Sequence, residues 1–172
     1  TFPTLFNSDY IFFWPGLSKF IHEDYIRAGL LEESLILLAF FYVYKGRRNA
    51  IYDLPIAIIF YNMACSAGFA LAENIFYVIR FGSVLDRSYS AVLLHMITGI
   101  IVGFSLQKAF YLKSVLIEKE SFYEKWKITF KRIKTILIGL IGAILFHGTY
   151  NFNFSLPNNQ YVYWNMFLIL CF

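Results

Sequence analysis

The sequence predicts an all-α fold: a polytopic membrane helix bundle with four full transmembrane helices, a partial fifth and an interfacial N-terminal segment. Three observations predict it. The 172 residues are 59% apolar and only 15% charged, with a mean hydropathy of +0.57, whereas soluble domains carry about 25% charged residues. Four long apolar runs are each closed by charged or turn-forming residues. Eleven of the fifteen Lys and Arg fall on alternate connections between those runs, the bias that orients helices in a bilayer. The net charge of +4 therefore reflects the flanks of membrane spans, so the bilayer is the expected partner and nucleic acid is not. By length the whole chain, 1–172, is a single transmembrane domain.

Residues 1–27 are too often interrupted to span. Asp9, Pro15, Lys19, His22, Glu23, Asp24 and Arg27 alternate there with Phe12, Phe13, Trp14 and Phe20, a pattern that suits the interface. The first span, A, is expected over 28–44, ending at Lys45-Gly-Arg47-Arg48-Asn49. Span B is expected over 54–81, with Pro55 in its first turn, where its missing N–H is no loss. After a short polar turn at 82–90, span C covers 91–112. The charged stretch 113–134 is read as a solvated or surface-lying amphipathic connection. Span D covers 135–152, and 153–160 is a turn containing Pro157.

The final run, Tyr161–Phe172, has twelve residues, which reach only ~18 Å against a hydrocarbon core of ~30 Å. The chain, lacking an initiator Met, is therefore expected to be a piece of a longer protein cut inside its last span. Cys65 and Cys171 lie in apolar runs and form no metal-spaced pair.

Orientation follows from the basic residues. The A–B and C–D connections with their flanks hold eleven, and the opposite side holds Lys19, Arg27, Arg80 and Arg87. The A–B and C–D loops are thus expected in the cytoplasm, with the chain a multi-pass membrane protein. Depth can then be counted. Glu32 lies 13 residues before Lys45, His95 lies 13 before Lys108, and His147 lies 13 after Lys134, each ~20 Å from its basic anchor along a helix. Glu73 lies 19 residues past Leu54, ~28 Å along span B. Four helices of alternating direction bring their ionisable residues to one layer toward the outer face.

On span B, Asn62, Ser66, Glu73 and Tyr77 fall within ~60° of one another. On span D, His147 and Asn151 stack at i and i+4. Small residues at Ala64-x-x-x-Gly68, Gly99-x-x-x-Gly103 and Gly139 with Gly142 are expected at close helix contacts.

Each polar residue also has a structural reading. Glu32 and Glu33 suit the first turn of a helix, His95 could be an interfacial histidine, and His147 with Asn151 could hydrogen-bond between helices. Glu73 is harder to place so, because a carboxylate in hydrocarbon is costly unless protonated, paired or facing water. Together the set suits hydrolysis inside the membrane. A glutamate can take a proton from water, a histidine can protonate a leaving amine, and an amide can stabilise an oxyanion. Two schemes stay open. In one, His95, His147 and a glutamate such as Glu73 hold zinc with a position left for water; in the other, the glutamates act without metal.

These pieces resemble PrsW-type intramembrane proteases, more distantly the CAAX-processing and bacteriocin-processing membrane proteases. The resemblance rests on Leu31-Glu32-Glu33, Gly68-Phe-Ala-Leu-Ala-Glu73-Asn74, His95 opening the third span, and His147-Gly-Thr-Tyr-Asn151-Phe. It implies a peptide-bond hydrolase acting on single-span membrane proteins such as anti-sigma factors near the outer face. It further implies Glu32 or Glu33 as the base activating water. Glu73, His95 and His147 would orient that water, bind metal or stabilise the intermediate, with Asn151 as oxyanion donor. The family usually carries a basic residue three positions after the second glutamate, where this chain has Ile36. That departure favours an alternative reading as a non-catalytic scaffold or substrate-binding homologue. A proton- or ion-coupled transporter, in which the same layer would be a relay, is a further alternative.

Overall fold

The computed structural model describes residues 20–52, 55–82, 85–116 and 122–155, and every ordered element among them is a helix. Helix α1, Phe20–Glu32, is wound in π register and passes without a break into α2, Glu33–Tyr52. Helices α3 (Pro55–Phe81), α4 (Leu85–Leu116) and α5 (Phe122–Ser155) follow. The interfacial segment before residue 20 and the partial span from Tyr161 lie outside the described residues.

The helices outrun the apolar runs from which they were expected. The first helical rod begins at Phe20 rather than 28 and passes through Lys45-Gly-Arg47-Arg48 to Tyr52. Helix α4 begins at Leu85, inside the expected polar turn, and α5 begins at Phe122, thirteen residues before Thr135. Polar and charged residues end a hydrophobic run without ending a helix, since Glu, Lys and Arg are good helix formers. A helix ends where the backbone is made to turn. Gly82, at φ 78°, closes α3 with its N–H donating to Val78 O at 2.9 Å, the left-handed cap that glycine adopts without steric cost.

Among the described residues, two helices have the length and apolarity to cross a membrane: Pro55–Arg80, with mean hydropathy 1.6, and Tyr89–Tyr111, with 1.8. Helix α2 reaches Lys45 after twelve residues, and the apolar half of α5 holds His147 and Asn151, so neither is uniformly apolar.

Helix α4 is central. It lies antiparallel between α3 and α5, with α1 along α5 and α2 against α3. Glycines set the closeness of these contacts. A methyl group at Gly103 would meet Ile59 Cα at 2.9 Å, one at Gly99 would meet the Ser66 side chain, and one at Gly139 the Ser105 side chain. The Ala64–Gly68 pair does not behave so: both are exposed and nothing lies within 4 Å of a Cβ at Gly68. They fall on the face of α3 turned away from the one that Asn62, Ser66 and Ala70 bury.

A core of Phe40, Ile58, Val102, Leu106, Phe110 and Ala143 fills one end of the bundle. The other end buries Glu33, Asn62, Ser66, His95, Thr98 and His147, while Leu38, Phe60, Leu71, Ile79 and Phe104 are each more than half exposed. Ionisable groups inside and large apolar side chains outside is the arrangement a bilayer requires.

Candidate active site

The ionisable residues meet because three helix contacts set their register. Tyr25, Gly29 and Glu33, spaced by four, face α5. A methyl at Gly29 would touch Ile144 O at 3.0 Å, and the Tyr25 ring lies on Gly148. Tyr25 Oη donates to Thr149 Oγ1 at 3.0 Å, and that hydroxyl donates in turn to Leu145 O at 2.7 Å. From α3, Asn62 donates to Gly99 O at 2.7 Å, which fixes α3 against α4 near His95. Runs of π winding as long as α1 are uncommon, and π turns are frequent at functional sites; here the π-to-α junction falls between Glu32 and Glu33.

Adjacent in sequence, those two glutamates have different surroundings. Glu33 is 1% exposed, with Oε1 at 2.8 Å from His147 Nδ1 and 3.9 Å from His95 Nδ1. Glu32 looks the other way, into a cavity of about 410 Å³ that it lines with Glu23, Arg27, Glu73, Tyr77 and Asn151. Its Oε2 lies 3.6 Å from His147 Nε2 and 3.8 Å from His95 Nε2. Glu73 Oε2 reaches His95 Nε2 at 3.4 Å. The imidazoles meet edge to face at 4.9 Å between centroids, and Phe69 closes the far side of His95 at 5.3 Å. At the cavity mouth, a hydrogen bond from Arg27 at 2.9 Å holds the Glu23 carboxyl below the ordinary carboxylate range.

With Glu33 ionised, the short contact makes His147 Nδ1–H the donor and leaves the Nε2 lone pair aimed at Glu32. Two acceptors facing each other need a proton or a cation between them. One ligand atom each from Glu32, His95 and His147 lies within 4.8 Å of the others. Zinc bound at ~2.0–2.2 Å sets its ligands about 3.4 Å apart, close to the 3.6 and 3.8 Å between Glu32 and the two imidazoles. Glu33 behind His147 supplies the carboxylate that commonly orients a metal-bound histidine. His95 Nδ1 and Glu33 Oε2 are buried without hydrogen-bond partners, so the same carboxylate is in place to orient the second ring after a small approach. The donor set therefore fits a divalent metal; the glutamate in this grouping is Glu32, while Glu73, named from the sequence, lies 3.4 Å from His95 Nε2.

The structure thus gathers Glu32, Glu33 and Glu73 around the His95 and His147 imidazoles, Glu73 against His95, and sets Asn151 on the wall of the cavity. Ile36 is 2% exposed; the position that differs from the resembled family is packed inside the bundle, one turn beyond Glu33. Tyr25, Glu23 and Arg27 were not assigned to the site from the sequence, where residues 1–27 read as interfacial. The available signal was the absence of Gly and Pro from Leu17 to Ala28, which lets a helix run through them toward Glu33.

The chain is similar to known proteins. The family described as PrsW family intramembrane metalloprotease matches residues 6–172. Protease PrsW of Bacillus subtilis (strain 168) is 29% identical over 151 residues, covering 85% of this chain and 60% of the relative. Protease PrsW of Shouchella clausii (strain KSM-K16) is 26% identical over 152 residues, covering 87% and 60%. The chain thus spans 60% of the length of these curated relatives. No solved structure matches it significantly.

Proposed function

The chain belongs to the PrsW family of intramembrane metalloproteases, and from that premise we propose that it is an intramembrane endopeptidase cleaving single-span membrane proteins near the outer face, as in a first cut of an anti-sigma factor. The observation that carries this reading is the convergence of Glu32 with the buried His95 and His147, Glu32 also lining an open cavity. Support for the outer location comes from the depth count and from the eleven-to-four division of basic residues. In this reading α2 and α5 complete a set of four spans with α3 and α4; α5 lies along α4 and exposes Leu137, Ile138, Ile141 and Leu145.

Glu32, His95 and His147 would hold zinc, which when bound supplies an electrophile and a water acidified toward neutrality. Glu33 has no access to the cavity, so its work is to hold the His147 ring with Nε2 toward the site. Of the carboxylates lining the cavity, Glu73 stands 3.4 Å from His95 Nε2, and we assign it the proton of the attacking water, to be returned to the leaving amine. That assignment differs from the one the resemblance implied, in which the paired glutamates activate water. Asn151, one turn beyond His147, donates its amide to the oxyanion as the carbonyl is attacked.

The test is reconstitution of the complete protein with a panel of single-span substrates. Cleavage that stops on chelation and returns with zinc supports the metal scheme. Full activity after verified metal removal overturns that scheme and returns the base to Glu32. A wild-type protein that binds substrates yet cleaves none supports the scaffold reading.

A further inference from the structure

The site makes no use of the first thirteen residues of α5. On this helix Phe122, Trp126, Phe130 and Ile133 fall within ~80° of one another, and they are 78, 63, 69 and 51% exposed. The row continues into Leu137, Ile141 and Leu145, each about half exposed, so one uninterrupted apolar face runs from the charged end of the helix into its apolar half. Lys127, Lys131 and Lys134 lie within ~60° of one another along one edge of that face, and all three are exposed. Lys127 is 3.9 Å from Glu124, an exposed pair of little energetic weight. Arg132 is turned the other way, donating to Ala109 O at 2.9 Å and lying over the Phe110 ring at 5.6 Å.

The length of α5 makes this face a problem for the protein. Thirty-four residues make a helix of ~51 Å, so ~20 Å extends beyond a ~30 Å hydrocarbon core if the helix stands upright. Three large aromatic side chains would then stand in water. Tilted into the headgroup layer, the same residues form an aromatic belt, and lysines at its edge extend their stems along the apolar surface to reach phosphate.

We propose that Phe122–Lys134 lies in the headgroup layer of the adjoining leaflet and binds anionic lipid through Lys127, Lys131 and Lys134. The bilayer is the occupant because this face is continuous with the exposed apolar row of the same helix, and because three exposed lysines line one edge of it. The inference rests on the chain being membrane-embedded and not on proteolysis, so it survives or fails independently of the enzymatic reading.

The test uses the complete protein with Trp14→Phe and Trp164→Phe and any further tryptophans likewise replaced, which leaves Trp126 as reporter. It is reconstituted in phosphatidylcholine, with or without phosphatidylglycerol. Expected are quenching of Trp126 by lipids brominated near the headgroup and protection from aqueous iodide. Lys127→Gln with Lys131→Gln and Lys134→Gln should lower phosphatidylglycerol enrichment around the protein by at least about fivefold, the effect of roughly one lysine at an anionic surface. Iodide-accessible Trp126 overturns the placement. Protection from iodide without quenching by any brominated lipid assigns the face to a protein partner and overturns the proposal. Equal enrichment in wild type and triple variant overturns the anionic-lipid assignment.

Discussion

Glu33 Oε1 lies 2.8 Å from His147 Nδ1, and both side chains are nearly closed to solvent. Two helices far apart in sequence are thereby joined at the centre of the site. Glu33→Ala should leave Nδ1 buried and unpaired, lowering stability by about 1–3 kcal/mol together with activity. Glu33→Gln can still accept from Nδ1 through its carbonyl oxygen and should retain most of the stability while losing the carboxylate's charge. Thermal unfolding of purified protein beside substrate cleavage distinguishes the two.

Glu32→Gln and Glu73→Gln should separate metal holding from water activation. Glu32 is in the converging donor set, so its replacement should lower zinc content and turnover together. Glu73 borders the same cavity outside that set, so Glu73→Gln should keep zinc near the wild-type amount and lower kcat by about 10²–10⁴-fold, the usual worth of a general base. Metal analysis beside single-turnover cleavage reads both. Zinc lost in Glu73→Gln and kept in Glu32→Gln would reverse the assignment.

Gly148 lies under the Tyr25 ring, immediately after His147. Gly148→Ala should push α1 from α5 and destabilise by about 1–3 kcal/mol, as overpacking does. Adding Tyr25→Ala should recover part of that loss, because the two side chains then no longer compete for one space. Tyr25→Phe removes the bond to Thr149 and should cost about 0.5–1.5 kcal/mol. A double-mutant cycle read by thermal unfolding measures the coupling.

Gly103→Ala would put a methyl at 2.9 Å from Ile59 Cα, whereas at Gly68 the same methyl meets nothing within 4 Å. The first should lower the unfolding temperature of the purified protein and the second should leave it unchanged or raise it slightly, alanine being the better helix former. Equal effects would mean that α3 and α4 are not held together at Gly103.

The sequence by itself determined that this chain is helical and suited to a membrane, since composition and apolar run length are set by the solvent the helices must meet. It also determined a common depth for Glu32, His95, His147 and Glu73, because rise per residue and basic anchors fix position along a helix axis. Only the tertiary structure decided how the two adjacent glutamates divide. Neighbours on a helix point about 100° apart, and which of them meets His147 and which meets the cavity depends on how the rod around the π-to-α junction is rotated against α5. That rotation is set by Tyr25 on Gly148 and Gly29 on Ile144, contacts more than a hundred residues apart in sequence. Helix limits were decided there too, because Lys, Glu and Arg end an apolar run without ending a helix. Glu73, conspicuous in sequence as a carboxylate among apolar residues, acquires its place from the same packing, which brings His95 to 3.4 Å of it.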